Sequence, residues 1–121
     1  MKIGILSQDI RLYSTKRLFE TAKKRGHDAQ VVSYLRCYMS IAKGKPRIYQ
    51  AGNELSFDSV IPRIAASWTF YGDAVVRQFE LMVSLSANSS ASINRSRDKL
   101  RALQLIGNTG VDMPVTGYVL S

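Results

Sequence analysis

Phe57 to Glu80 reads FDSVIPRIAASWTFYGDAVVRQFE. Within it, Ser59 to Ile64 is a short apolar run rich in β-branched side chains, which predicts a strand buried on both faces of a parallel sheet. Pro62 interrupts the pattern, because proline brings no N–H to a ladder. Ala65 to Gly72 follows as a polar and aromatic loop, at the strand end where α/β sheets gather their ligand contacts. From Asp73 to Val83, the spacing of Val76, Phe79 and Val83 predicts a helix with an apolar stripe. Together these pieces predict the centre of a sheet and one wall of a cleft.

On the N-terminal side, KIGILS at Lys2 to Ser7 predicts a first buried strand. A helix is expected to start at Ser14, whose hydroxyl suits an N-cap, and to carry Leu18 and Ala22 on one face. It is expected to stop at Lys23-Lys24-Arg25-Gly26, where cations meet the negative helix end and glycine allows a left-handed residue. His27 to Tyr34, around Val31-Val32, predicts a second strand, which completes a right-handed βαβ unit and hence a parallel sheet. Tyr38 to Arg47, with Gly44 and Pro46, predicts a loop. Arg47 to Phe57 then suits a small β-hairpin around Gly52-Asn53 on the sheet edge.

On the C-terminal side, Ser84 to Ala87 is a short strand candidate. Asn88, Ser89 and Ser90 offer caps for one long helix running to about Gly107, with Ile93, Leu100 and Leu103 as its apolar stripe. Val111 to Ser121 is expected to be extended, with Pro114 barring helix.

The 121 residues suit one domain with a real core, and 45% hydrophobic content excludes general disorder. No apolar run approaches the roughly 18 residues of a membrane span, and Met1-Lys2-Ile3 enters a strand with no secretory segment. A lone Cys37 cannot form an internal disulfide, which fits a cytoplasmic chain. The net charge of +8 is uneven. Residues 1 to 49 hold 11 Lys and Arg against 3 Asp and Glu, whereas residues 50 to 121 hold 6 of each. Such an excess favours an acidic substrate, a polyphosphate or nucleic acid, and equally fits a solvated surface.

Common catalytic fingerprints are absent. Gly4 lacks the partners of a dinucleotide-binding glycine motif, no phosphate loop occurs, and His27 with Cys37 makes no zinc set. His27, just past a helix stop, is expected at the surface. Arg95, Arg97, Lys99 and Arg101 fan around one predicted helix, with Arg95 and Lys99 sharing a flank that could hold phosphate oxygens. The alternative is that Asp98 pairs with Arg95 or Arg101 while Lys99 lies along the core. Arg63, at the end of a buried strand, could grip a carboxylate bidentately from a cleft that Tyr71 and Trp68 also line. Its alternative is a buried ion pair with Asp73 or Glu80.

Three stretches, KIGILSQDIRLYSTKRLFETAKKRGH, FDSVIPRIAASWTFYGDAVVRQFE and SRDKLRALQLIGNTGVDMPVTG, resemble in order the N-terminal portion of RimK-type α-L-glutamate ligases. Those are ATP-grasp enzymes that add glutamate to the C-terminus of small-subunit ribosomal protein six. The resemblance implies an α/β, Rossmann-like pre-ATP-grasp domain over residues 1 to 110, a mostly parallel sheet flanked by helices. Residues 111 to 121 would be a linker or first strand leading into an ATP-grasp domain. It implies a parent that uses ATP and Mg2+ or Mn2+, with no catalytic residue, metal ligand or bound cofactor on the stretch at hand. By the same resemblance Lys99 reaches ATP phosphate, with Arg95 added by its shared flank, and Arg63 and Arg77 serve the acceptor side or the domain interface, with Tyr71 added as a neighbour of Arg63 in the cleft. Glutamate, a ribosomal protein C-terminus and the ATP-grasp domain are the implied partners, with homo-oligomers open. Two other classes remain at this level: a free-standing basic module for ribosomal RNA or an acidic partner, and a flavodoxin-like nucleotide binder.

Overall fold

A computed structural model describes residues 1–120 of the chain. Seven strands and four helices follow one another as β1 (Lys2–Ser7), α1 (Tyr13–Lys24), β2 (Asp28–Ser33), β3 (Cys37–Ser40), β4 (Arg47–Gln50), β5 (Asn53–Glu54), β6 (Ser59–Arg63), α2 (Thr69–Leu81), β7 (Leu85–Ser86), α3 (Ser90–Arg97) and α4 (Lys99–Gly107). Single 3-10 turns at Tyr34–Arg36 and Ala66–Trp68 precede β3 and α2. The main sheet is parallel throughout, in the order β2-β1-β6-β7, so β1 and β6 are its central strands as the apolar runs predict.

Pro62 is tolerated at that centre for a register reason. The Asp58 and Val60 carbonyls accept from Leu85 and Ala87, each at 3.0 Å, so Pro62 is in phase with residues that face β7. The outer strand has ended by then, at Ser86. The missing N–H therefore removes no ladder bond.

Several boundaries depart from the sequence expectation. Ser14 caps nothing; α1 begins a residue earlier, with Leu12 at the N-cap position and no side-chain cap. The far end behaves as expected, with Gly26 at φ +82 and the Gly26 and His27 N–H groups bonding back to Lys23 and Ala22. Tyr38 to Ser40, expected as the start of a loop, belong to strand β3. It pairs with β4, and β4 with β5, in a separate antiparallel sheet rather than on the edge of the main one. The hairpin turns at Ala51-Gly52, both at positive φ, one residue before the expected Gly52-Asn53. His27 is half-buried, not a surface residue.

The expected long C-terminal helix is two helices. Ser89 caps α3 by accepting from Ser92, and the chain then leaves helical geometry at Asp98, with ψ 97. The Asp98 carboxylate accepts from the Arg101 N–H at 3.0 Å and caps α4 in turn. An Asp that can bond the backbone three residues ahead starts a helix better than it continues one.

Thirteen buried residues form the main core cluster, drawn from both sheets, α2 and α3. α2 is the shared wall. Val75, Val76 and Phe79 are fully buried on it, while Val83, expected on the same stripe, is 91% exposed. Polar ties fix α2 to the small sheet: the Gln78 side-chain amide donates to the Ser40 and Arg47 carbonyls at 3.1 and 2.9 Å, and the Tyr71 hydroxyl donates to the Cys37 carbonyl.

Val83 leaves the stripe because it occupies the left-handed position that ends α2. Its φ is +65, and the Val83 and Ser84 N–H groups bond back to Glu80 and Phe79 at 3.0 Å. A β-branched side chain is strained there, by about 1–2 kcal/mol. Val83→Gly should therefore raise stability by about 1 kcal/mol even though it removes an apolar side chain, read as a higher urea midpoint.

Candidate functional site

In the order β2-β1-β6-β7, the chain leaves β1 toward β2 on one side and takes up β6 on the other. Loops at the C-terminal ends of these neighbours part from each other, which opens a crevice where α/β sheets bind ligands. Here the crevice is a cleft of about 600 Å³. Gln8 follows β1, Ser14 and Thr15 come from the first turn of α1, Arg63 to Ala65 end β6, Asn88 follows β7, and Ser92, Ser96 and Arg97 come from α3.

The lining contains two guanidinium groups and no carboxylate. Arg63 Nη2 donates to Ser14 Oγ at 3.3 Å, and Arg97 Nη2 donates to the Ile64 carbonyl. Neither arginine makes an ion pair among the described residues. The carboxylates expected to neutralise Arg63 are engaged elsewhere. Asp73 is paired with Arg77 at 3.0 Å, and Glu80 accepts from the N–H and hydroxyl of Ser90, both at 2.7 Å. Burial is the main influence on Asp73 and raises its carboxyl above the ordinary value, with Arg77 acting against it.

Support beneath the cleft is polar and buried. Ser7 Oγ and Thr15 Oγ1 share a hydrogen bond of 2.8 Å between two fully buried residues, which locks the start of α1 onto β1. Tyr34, also fully buried, accepts at its hydroxyl from the Ala65 N–H at 3.1 Å and so holds the turn that leaves β6. Tyr34→Phe strands that N–H, which should cost about 1–3 kcal/mol. Thermal unfolding would check the size of the loss.

Of the residues nominated from the sequence as ligand contacts, Arg63, Tyr71, Arg77, Arg95 and Lys99, only Arg63 lines this cleft. Tyr71 is outside it, its hydroxyl committed to Cys37, and half-exposed Trp68 does not line it either. Arg77 is exposed and held by Asp73. Arg95 ends α3 and Lys99 begins α4, both exposed; the break at Asp98 removes the continuous helix on which they were to share a flank. Asp98 caps rather than pairing with Arg95 or Arg101. Arg97 is the contributor that the spacing argument passed over. Its signal was present, since Arg97 is four residues past the buried Ile93 and shares its helix face.

Comparison with known proteins agrees with this architecture. Residues 1–93 match the family model described as the RimK PreATP-grasp domain. A probable alpha-L-glutamate ligase of Vibrio cholerae serotype O1 is 59% identical over 119 residues, covering 98% of this chain and 40% of that protein. A probable alpha-L-glutamate ligase 1 of Shewanella baltica is 61% identical over the same length, with the same coverage. The chain thus spans about two fifths of the length of the curated relatives it matches. Among solved structures, macrocyclase MdnB from Microcystis aeruginosa superposes with a TM-score of 0.65 at 17% identity, covering 98% of this chain and 54% of that one. Macrocyclase MdnC from the same organism, bound with precursor peptide MdnA, gives 0.55 at 13% identity, covering 92% of this chain and 44% of that one. At such identities these two structures speak to the fold alone. With matched residues that run from the first strand into α3, this chain belongs to the RimK pre-ATP-grasp domain family.

Proposed function

We propose that this domain is the acceptor side of an ATP-dependent α-L-glutamate ligase, and that its switch-point cleft holds the carboxylate to be extended. The observation that carries the reading is the cleft lining, with two arginines that make no ion pair among the described residues, hydroxyl and amide groups, and no acid. Such a lining favours a carboxylate over a cation or an apolar ligand. Arg63 is the bidentate ligand and Ser14 aligns its fork. Arg97, tied to the Ile64 carbonyl, supplies a second positive charge at the same mouth.

In the reaction this assigns, an acceptor carboxylate oxygen attacks the terminal phosphorus of ATP, and ADP leaves. The amine of glutamate then attacks the acylphosphate carbonyl, phosphate departs and a peptide bond remains. An ATP-grasp domain following residues 111–121, a linker in this reading, would hold ATP and a divalent metal, and the metal would neutralise charge on the ATP phosphates. Among the described residues, no group of three or more His, Cys, Asp or Glu is gathered to hold a metal. What this chain does is bind and orient the acceptor. The acceptor is assigned as a ribosomal protein C-terminus. Lys99 and Arg95, exposed at the α3–α4 junction, are assigned to ATP phosphate. With Tyr71 and Arg77 engaged internally, the acceptor role narrows to Arg63.

A chimera tests this. The chain replaces the 119 aligned residues of the Vibrio cholerae relative, and radiolabelled glutamate transfer is followed to a peptide copied from the ribosomal protein C-terminus. Activity should be retained, and Arg63→Ala should raise the acceptor KM about tenfold to a hundredfold while the ATP KM is unchanged. A folded chimera that binds ATP but transfers nothing, or an Arg63 variant with an unchanged acceptor KM, would overturn the assignment.

A further inference from the structure

β2 is the outermost strand of the parallel sheet, and among the described residues no strand pairs with its far edge. The Asp28 N–H donates to Met1, so Asp28, Gln30 and Val32 face β1, and the alternation of the ladder turns the backbone groups of Ala29, Val31 and Ser33 outward. Unpaired N–H and C=O groups on a sheet edge are a template for another extended chain.

Two hollows meet at Val31. One, about 490 Å³, is at the C-terminal ends of β1 and β2 and includes Arg11, Arg36 and Gln50. The other, about 480 Å³, runs between α1 and β2, with Ile10, Phe19 and Val31 as apolar walls and Lys16 beside Arg11. The first shares only Gln8 with the switch-point cleft, and the second shares nothing with it.

The charges in these hollows do not cancel. Arg11, Lys16 and Arg36 face Asp9 and Glu20. Asp9 is occupied by Arg11 at 2.8 Å, and Glu20 is bridged at 3.4 Å to Arg17, which lines neither hollow. Lys16 and Arg36 make no ion pair among the described residues. Gln50 Oε1 is buried without a hydrogen-bond partner, an acceptor waiting for a donor such as a peptide N–H.

We propose that the open edge of β2 and its two hollows form a docking site for an acidic polypeptide segment, which adds a strand beside β2 and places its carboxylates on Arg36 and Lys16. An open ladder explains why the segment is extended, the Ile10–Phe19–Val31 wall why it carries apolar side chains, and the unpaired cations why it is acidic. The site is independent of the glutamate-ligase reading and stands if that reading fails.

The test is fluorescence anisotropy with the chain and a labelled peptide, Val-Thr-Val-Glu-Glu-Glu. Saturable binding is expected, weakened about tenfold by Arg36→Ala and further by Arg36→Glu, both at an exposed position. N-methylation of alternate peptide residues should abolish binding without touching the protein, because it removes the strand's donors. No binding, or binding indifferent to both the arginine and the N-methyl groups, would overturn the proposal. So would tight, salt-sensitive binding of an RNA hairpin with none of the peptide, which would give the cations to nucleic acid. A concentration-dependent dimer that excludes the peptide would give the edge to a second copy and equally overturn it.

Discussion

Phe79→Ala should remove about 3–5 kcal/mol of stability, a third or more of what a domain of this size commonly has. Phe79 is fully buried on α2 and its ring is 5.8 Å from that of Phe57, tilted by 56°. Truncation opens a cavity at an element that packs against both sheets. The surroundings cannot collapse easily into it. α2 is held on one side by the Gln78 amide and the Tyr71 hydroxyl, and Phe57 is fixed by Ser84 Oγ, which donates to its carbonyl at 2.7 Å. Urea unfolding is the measurement, with a lowered midpoint and an unchanged slope expected. A loss under about 1 kcal/mol would mean that α2 is not the common wall of the core.

Gly4→Ala should destabilise by about 2 kcal/mol, against the usual benefit of replacing glycine inside a strand. Gly4 is central in β1, with β2 on one side and β6 on the other. A Cβ there would be 2.7 to 2.9 Å from three atoms of the Phe57 ring. That ring cannot swing away cheaply, because Phe79 packs against it and the Lys2 ammonium is 5.6 Å from its centroid. In a Phe57→Ala background the same change should cost almost nothing, so the double-mutant cycle should show coupling close to the whole single-mutant effect. Additive losses would place the strain elsewhere.

Where local chemistry and the fold agree, the sequence was readable. The apolar runs of β1 and β6, the cations and glycine that end α1, and the strand–helix–strand order all point to one parallel sheet, and the structure has it. Readings failed where tertiary context or a short polar side chain overrode the pattern. Tyr38 and Met39 read as loop because nothing local shows that β4 will pair with them across the Lys43–Pro46 connection. Val83 read as core by spacing alone, yet it is the residue on which α2 terminates. Asp98 was weighed as an ion-pair partner when its better use was a cap, and that misplaced Arg95 and Lys99 together. In the candidate site, Arg63 was legible because strand ends in such sheets face the ligand crevice. Arg97 needed the buried Ile93 face to be extended by one turn, and the tie between Ala65 and Tyr34 spans 31 positions that no local pattern connects.

The central claim is that the crevice between the ends of β1 and β6 binds an acceptor carboxylate. Its most direct test is to titrate isotope-labelled protein with a short acceptor peptide, once with a free C-terminal carboxylate and once as the C-terminal amide, while backbone and guanidinium resonances are followed. Shifts at Gln8, Ser14, Ala65, Asn88 and the Arg63 guanidinium that appear only with the free carboxylate are the predicted result. Equal shifts with the amide, or shifts confined to other surfaces, would contradict it.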